Sequence, residues 1–259
     1  KCWGNNDNGQ HAVGSTASTF VSPSNLGDNL KFAELGNGQT AQKVCGGGKN
    51  MCVLLGSGNV KCWGANQFAV LGQGLPANKK TKIGDQESEI GDGLTAVDVG
   101  ATVTDISCAM DHVCVKLDSN DVKCWGANTQ GELGYESTTN FGTSASHMGS
   151  NLATVNLGTG RTVKSLASGG NHNCAILDDD SLKCWGKNGA GQLGYGDTTN
   201  RGDTSGTMGD NLAAVDLGGK TAKKVFVGAS NTCAILSDDT AACWGDNSKG
   251  QLAIGSTDA

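Results

Sequence analysis

Cys174-Ala-Ile-Leu-Asp-Asp-Asp-Ser-Leu-Lys-Cys184-Trp185-Gly186 is the stretch on which the fold turns. An apolar run meets an acidic turn and a second run, and clusters of Asp and Ser at such a centre signal chain reversal. Pairing Leu177 with Ser181 leaves a three-residue loop and sets Cys174 directly opposite Cys184. Directly opposed residues of a non-hydrogen-bonded antiparallel pair have Cα atoms ~4.5 Å apart, close enough for a disulfide.

The stretch recurs. Cys2, Cys62, Cys124, Cys184 and Cys243 are separated by 60, 62, 60 and 59 residues, and Trp-Gly follows each of them. Cys52, Cys114, Cys174 and Cys233 stand ten residues before the last four. Four disulfides follow as an expectation: Cys52–Cys62, Cys114–Cys124, Cys174–Cys184 and Cys233–Cys243. Each closes a small loop. A 15-residue loop is worth ~3 kcal/mol in chain entropy, so each of these is worth slightly less.

A second motif follows Trp-Gly: Asn188 to Gly194, Asn128 to Gly134, and Asn247 to Leu252. A polar loop then leads to Met208-Gly-Asp-Asn-Leu212 and its counterparts at Met148, Ile90 and Leu26. Next come a run ending in glycine, such as Ala214 to Gly218, and a short apolar strand such as Val163 to Leu166. That makes about four short strands per period with no amphipathic helical window, the signature of a propeller blade. The expected organisation is a single array over 1–259: a partial first repeat at 1–46, full repeats at 47–107, 108–168 and 169–227, and a partial last repeat at 228–259.

The stretch from Ala167 to Asp197 resembles the repeat of the regulator of chromosome condensation family. Gly169-Gly170 and His172 carry the first part of that pattern; Trp185-Gly186, Asn188 and Gly191-Gln192-Leu193-Gly194 carry the second. The resemblance implies an all-β propeller, typically seven-bladed, of which about four repeats are present here. The match is looser where Asn50 and Asn231 replace the histidine and at Phe68 to Gly72. The resemblance is to the fold. The family's founding activity, nucleotide exchange on a small GTPase in the nucleus, does not suit an acidic chain whose paired cysteines need an oxidising compartment.

The chain has 259 residues, a net charge of −6 and 41 glycines against 2 prolines. No basic patch exists beyond Lys79-Lys80 and Lys223-Lys224, so nucleic acid is not an expected partner. Hydrophobic runs are too short for a transmembrane helix, and membrane insertion is not expected. The chain opens in the middle of its own repeat, which reads as a mature or partial piece of a longer product. Of the eleven cysteines, none are spaced as zinc-binding Cys-x2-4-Cys pairs, so no metal and no cofactor is expected. Cys2 is left without a partner. Cys45 and Cys108 occupy corresponding inner segments, seven and six positions before a hairpin cysteine; either they bridge adjacent blades or they are buried thiols.

His11, His112, His147 and His172 assemble no catalytic group by sequence, and no catalytic residue is expected; His112 and His172 read as structural. The acidic turns at Asp178 to Asp180 and at Asp238-Asp239 lack calcium-loop spacing. Arg201-Gly202-Asp203 occupies a loop position filled by Phe141-Gly142-Thr143 one repeat earlier. No Asn-x-Ser/Thr sequon is present, and Ser15 to Thr19 and Thr143 to Ser146 are the candidates for O-glycans. The functional expectation is a non-enzymatic extracellular or cell-surface scaffold or protein-binding propeller, a structural component of a surface assembly or filament. The rival is a recognition propeller acting as an inhibitor or lectin-like binder. The expected partner is a protein or a glycan, copies of the chain itself included. No binding residue is identified in the sequence.

Overall fold

A computed structural model describes residues 1–17, 27–75, 78 and 80–257. Four antiparallel sheets follow one another along the chain. The first contains β1 (Ala41–Gly46), β2 (Asn50–Leu55) and β3 (Val60–Ala65), with the two-residue strands β4 (Lys82–Ile83) and β5 (Ala96–Val97) paired to β3. The others are three-stranded: β6 (Val103–Cys108), β7 (His112–Leu117) and β8 (Val122–Gly126); β9 (Val163–Ser168), β10 (His172–Leu177) and β11 (Leu182–Gly186); β12 (Ala222–Val227), β13 (Asn231–Leu236) and β14 (Ala241–Gly245). The fourth strand expected in each repeat is therefore mostly absent. Where it would run, Val155 and Val215 each donate one backbone bond to Val122 and Leu182, and Phe141 and Arg201 make single bridges to Gly126 and Gly186. Glycines and polar residues interrupt these segments, so each holds one or two ladder bonds instead of a strand.

The first strands of successive sheets, β1, β6, β9 and β12, pack against one another and line the inner side of an arc of four blades. Each inner strand carries a register shift at the same place: Ala41/Lys43, Val103/Asp105, Val163/Ser165 and Ala222/Lys224. A bulge there bends the strand and raises its twist. The sequence repeat and the blade are out of phase, because the repeat boundaries at 47, 108, 169 and 228 fall at or just after the end of an inner strand.

The core lies between blades. Each of its three clusters joins one sheet to the next, as where Val122 and Leu133 meet Leu166, Ala175 and Trp185. Sheets covered on both faces need strands apolar on both faces. This explains why β3, β10 and β11 are buried at every position. Stability in such an array is a sum of nearest-neighbour interfaces.

Candidate functional site: the inter-blade joints

The hairpin cysteines lie where β2/β3, β7/β8, β10/β11 and β13/β14 pair them. Cys52 faces Cys62, Cys114 faces Cys124, Cys174 faces Cys184, and Cys233 faces Cys243, each pair bonded with Cα atoms 4.1 Å apart. Leu177 N–H donates to Ser181 O at 2.9 Å, and Asp180 takes a positive φ of 64° in the turn. Cys45 is bonded to Cys108 with Cα atoms 5.5 Å apart, joining the first blade to the second. The one-position offset between them is the geometry of the joint itself. One blade further, Ser168 N–H donates to Ser107 Oγ at 2.8 Å across the same two positions. Cys2 is a half-buried free thiol.

The tryptophan of each Trp-Gly reaches back one repeat. Trp63, Trp125, Trp185 and Trp244 donate Nε1–H to the carbonyls of Gln10, Val70, Glu132 and Gln192 at 2.7–3.1 Å. A buried histidine completes two of these joints. His112 Nε2 lies 2.8 Å from Asn173 Oδ1, and Asn173 Nδ2 donates to Glu132 O at 2.6 Å. His172 Nε2 lies 2.8 Å from Thr232 Oγ1, whose hydroxyl donates to Gln192 O at 2.8 Å. With Asn173 and Thr232 already donating elsewhere, both rings must donate from Nε2, and each is the neutral tautomer with an unbonded Nδ1. Burial drives both pKa values down, that of His172 to about 3, with the neighbouring His112 adding to the fall. Where Asn50 replaces the histidine, Val113 stands at the partner position.

The loops are held by two devices whose role sequence reading missed. The asparagine three residues after each tryptophan is buried. Asn6, Asn66, Asn128, Asn188 and Asn247 accept at Oδ1 from the backbone N–H five residues on. Asn188 Nδ2 also donates to the carbonyls of Asp197 and Thr199. The lysine before the second cysteine is the other device. Lys61 Nζ donates to Leu35 O and Gly91 O, Lys123 to Val99 O and Gly149 O, and Lys183 to Leu157 O and Gly209 O, at 2.8–3.2 Å. Burial lowers all three lysine pKa values, and Asp92, Asp98 and Asp210 respectively oppose it. The recurrence of Lys at 1, 61, 123 and 183, with Ala242 as the exception, was the available signal.

The remaining candidates do not converge. His11 is buried where other repeats have leucine, and burial lowers its pKa. His147 Nδ1 meets Thr143 Oγ1 and its ring lies against Phe141. Asp179, Asp180, Asp238 and Asp239 are ion-paired to Arg161, Lys164, Lys220 and Lys223. Arg201 is turned onto Asp197, and Gly202 is buried. Glu132 is fully buried and takes bonds from Gln130 N–H and Asn171 Nδ2; burial and its charge raise the pKa of Asp111. Among the described residues no cluster of three or more His, Cys, Asp or Glu could hold a metal ion, and no helix is long and apolar enough to cross a membrane. The Ser15–Thr19 candidate lies only partly within the described residues; Leu26 and Lys79 lie outside them.

Blades joined face to face, each stapled by its own hairpin disulfide, define a disulfide-laced β-propeller arc. Residues 163–192 and 222–251 match the regulator of chromosome condensation (RCC1) repeat. The human probable E3 ubiquitin-protein ligase HERC4 is 29% identical over 201 residues, covering 77% of this chain and 17% of its own. Human WBSCR16 superposes with a TM-score of 0.71 at 16% identity, over 99% of this chain and 59% of its own. Prp20p of Saccharomyces cerevisiae, whose structure was described with its binding to Gsp1p and histones, gives 0.64 at 17% identity, over 85% and 48%. Two of the chain's repeats thus match the family's repeat model, and the chain spans less than two thirds of each of these relatives.

Proposed function

We propose that this protein is a non-catalytic, protein-binding propeller that works as a scaffold in an oxidising compartment, outside the cell or at its surface. The observation that carries the reading is the crosslinking: each of the four blades has its hairpin bridged, and a fifth bridge ties two blades together. Such a set of bonds persists in secreted proteins and is rare where thiols are kept reduced. The protein-binding part is supported by the relative Prp20p, described as binding other proteins. The joints use their histidines and buried polar groups to hold blades together, which leaves the polar loops Gly134 to Ser150 and Gly194 to Met208 as the contact surface. The repeat boundaries at 47, 108, 169 and 228 belong to the same reading.

The test is peptide mapping under non-reducing conditions on protein from its natural source, with cell and medium fractions assayed separately. Five bridged pairs in the extracellular or surface fraction are expected. Free thiols throughout, in an intracellular fraction, would overturn the reading.

A further inference from the structure

The second and third blades each fill one socket with a tyrosine of their own, and the first blade does not. The residue after the loop glycine is Tyr135 in the second blade, Tyr195 in the third and Gln73 in the first. The Tyr135 hydroxyl accepts from Cys124 N–H and lies 2.9 Å from the carbonyl oxygens of Cys124 and Ala153. Its ring stands edge-on to Phe141, with centroids 5.1 Å apart. The Tyr195 hydroxyl accepts from Cys184 N–H and donates to Cys184 O, both at 2.9 Å, and Arg201 lies over its ring.

The residues around Gln73 are the counterparts of those around Tyr135. Ile83 pairs with Gly64 as Phe141 pairs with Gly126. Leu94 and Thr95 correspond to Leu152 and Ala153, and Glu89 corresponds to His147. Gln73 reaches one acceptor of the missing phenol: its Nε2 donates to Thr95 O at 3.1 Å. It brings no ring, and a cavity of about 350 Å3 lies here, walled by Gln73, Leu75, Ile83, Glu89, Leu94 and Thr95. Among the described residues no aromatic side chain lines it, and all of its walls come from residues 73–95.

The walls select a chemistry. Ile83 and Leu94 are buried and supply an apolar surface. The Glu89 carboxylate is neutralised by Lys80 at 2.9 Å and accepts from Gly84 N–H at 3.0 Å, so the cavity favours neither a cation nor an anion. Gln73 keeps a second Nε2 hydrogen beside the Thr95 carbonyl. One hydroxyl can therefore accept from Gln73 and donate to Thr95 O, the counterpart of the Ala153 carbonyl beside the Tyr135 hydroxyl. Small-molecule pockets run from about 300 to 1,000 Å3, so this one takes a single ring.

We propose that the first blade holds a binding site for a neutral para-substituted phenol. Its ring packs against Ile83 and Leu94, and its hydroxyl pairs with the Gln73 amide and the Thr95 carbonyl. The site stands apart from the proposed scaffold role, because it rests on neither the compartment nor a protein partner. The phenol is supplied either by a free small molecule or by a tyrosyl side chain.

The test is a titration of the whole chain with p-cresol, followed by the methyl resonances of Ile83 and Leu94. Saturable shifts at those methyls in the millimolar range or below are expected. Toluene, which lacks the hydroxyl, should bind about fivefold more weakly, the worth of one hydrogen bond. N-acetyltyrosinamide separates the sources: binding as tight as that of p-cresol assigns the site to tyrosyl side chains, and its exclusion assigns the site to small phenols. Gln73→Tyr supplies the ring from the chain itself, as the other two blades do. It should melt at or above the parent and weaken p-cresol binding at least tenfold. If it melts low, Ile83→Phe, which copies Phe141 of the second blade, makes the same test by narrowing the cavity. The proposal is overturned by the absence of saturable shifts, by toluene binding as tightly as p-cresol, or by unchanged binding in whichever of these variants melts like the parent.

Discussion

Replacing both cysteines of the inter-blade bridge, Cys45→Ser with Cys108→Ser, should cost more stability than opening any one hairpin. The bridge spans 63 residues of chain and each hairpin bridge spans 10. Loop-closure entropy then assigns about 4.3 kcal/mol to the inter-blade bond and about 2.7 kcal/mol to a hairpin bond. The serines should fit without strain, because the next joint is built from Ser107 and Ser168, with one hydrogen bond at 2.8 Å. Gaining such a bond returns about 1 kcal/mol, so a net loss of about 3 kcal/mol is expected. The contact joins only the first two blades, and coupling in such an array passes between neighbours. The loss should therefore appear in hydrogen exchange as faster opening of amides in Ala41–Gly46 and Asn50–Leu55, with those of His172–Leu177 unchanged. A loss below about 1 kcal/mol, or one spread evenly over all four blades, would refute the reasoning.

Acid should loosen the joint between the third and fourth blades. His172 titrates near 3 when folded against 6.5 when exposed, so the unfolded state binds the extra proton first, and stability falls as pH drops through this window. The loss attributable to this residue is about 3 kcal/mol by pH 4.5, and urea unfolding of His172→Gln should show a shallower acid limb than the parent. Asn188→Ala deletes four loop-holding bonds and leaves buried backbone groups unpaired; a cost of about 3 kcal/mol is expected, read as faster exchange from 189 to 200. Lys183→Met frees the carbonyls of Leu157 and Gly209. Both flanking loops should become protease-sensitive while the blade strands keep their protection. Mild reductant should open Cys45–Cys108 and Cys233–Cys243 first, since these cysteines are half-exposed and the other hairpin cysteines are sealed; mass shifts at each step report the order.

The architecture could be read from the chain because its strands repeat at near-constant period and the hairpin cysteines carry their own register. The outer strand was over-read. Ala214 to Gly218 alternates like a strand, but a strand also needs a partner along its length, and only Val215 finds one. The joints were partly hidden for a different reason. His112 and His172 align with each other and read as structural, but the groups that fix them, Asn173 and Thr232, are different residues 60 or 61 positions away. No periodic signal marks two residues that share a position and differ in type. The lysines were visible as a column, yet a lysine in a strand ordinarily reads as a solvent-facing residue; only the carbonyls of two separate loops, converging on one Nζ, show why it is buried.

What recurs in this chain is a set of positions, and the chemistry placed on them changes from joint to joint. The inner-strand contact is Cys45 with Cys108, then Ser107 with Ser168. The deeper contact is Asn50 beside Val113, then His112 with Asn173, then His172 with Thr232. In the second and third joints the histidine Nε2–H has a partner across the joint, Asn173 Oδ1 or Thr232 Oγ1, so a single exchange between joints, such as Asn173→Val, would strand the His112 Nε2–H in the core. Unpaired buried donors cost about 1–3 kcal/mol each. The two members of a joint are therefore coupled across a repeat length although neither is fixed. Asn173→Val combined with His112→Asn, which copies the first joint onto the second, should recover most of what Asn173→Val alone loses. Thermal melts of the two single variants and the double measure that coupling, and strictly additive losses would show that the joints are not interchangeable units.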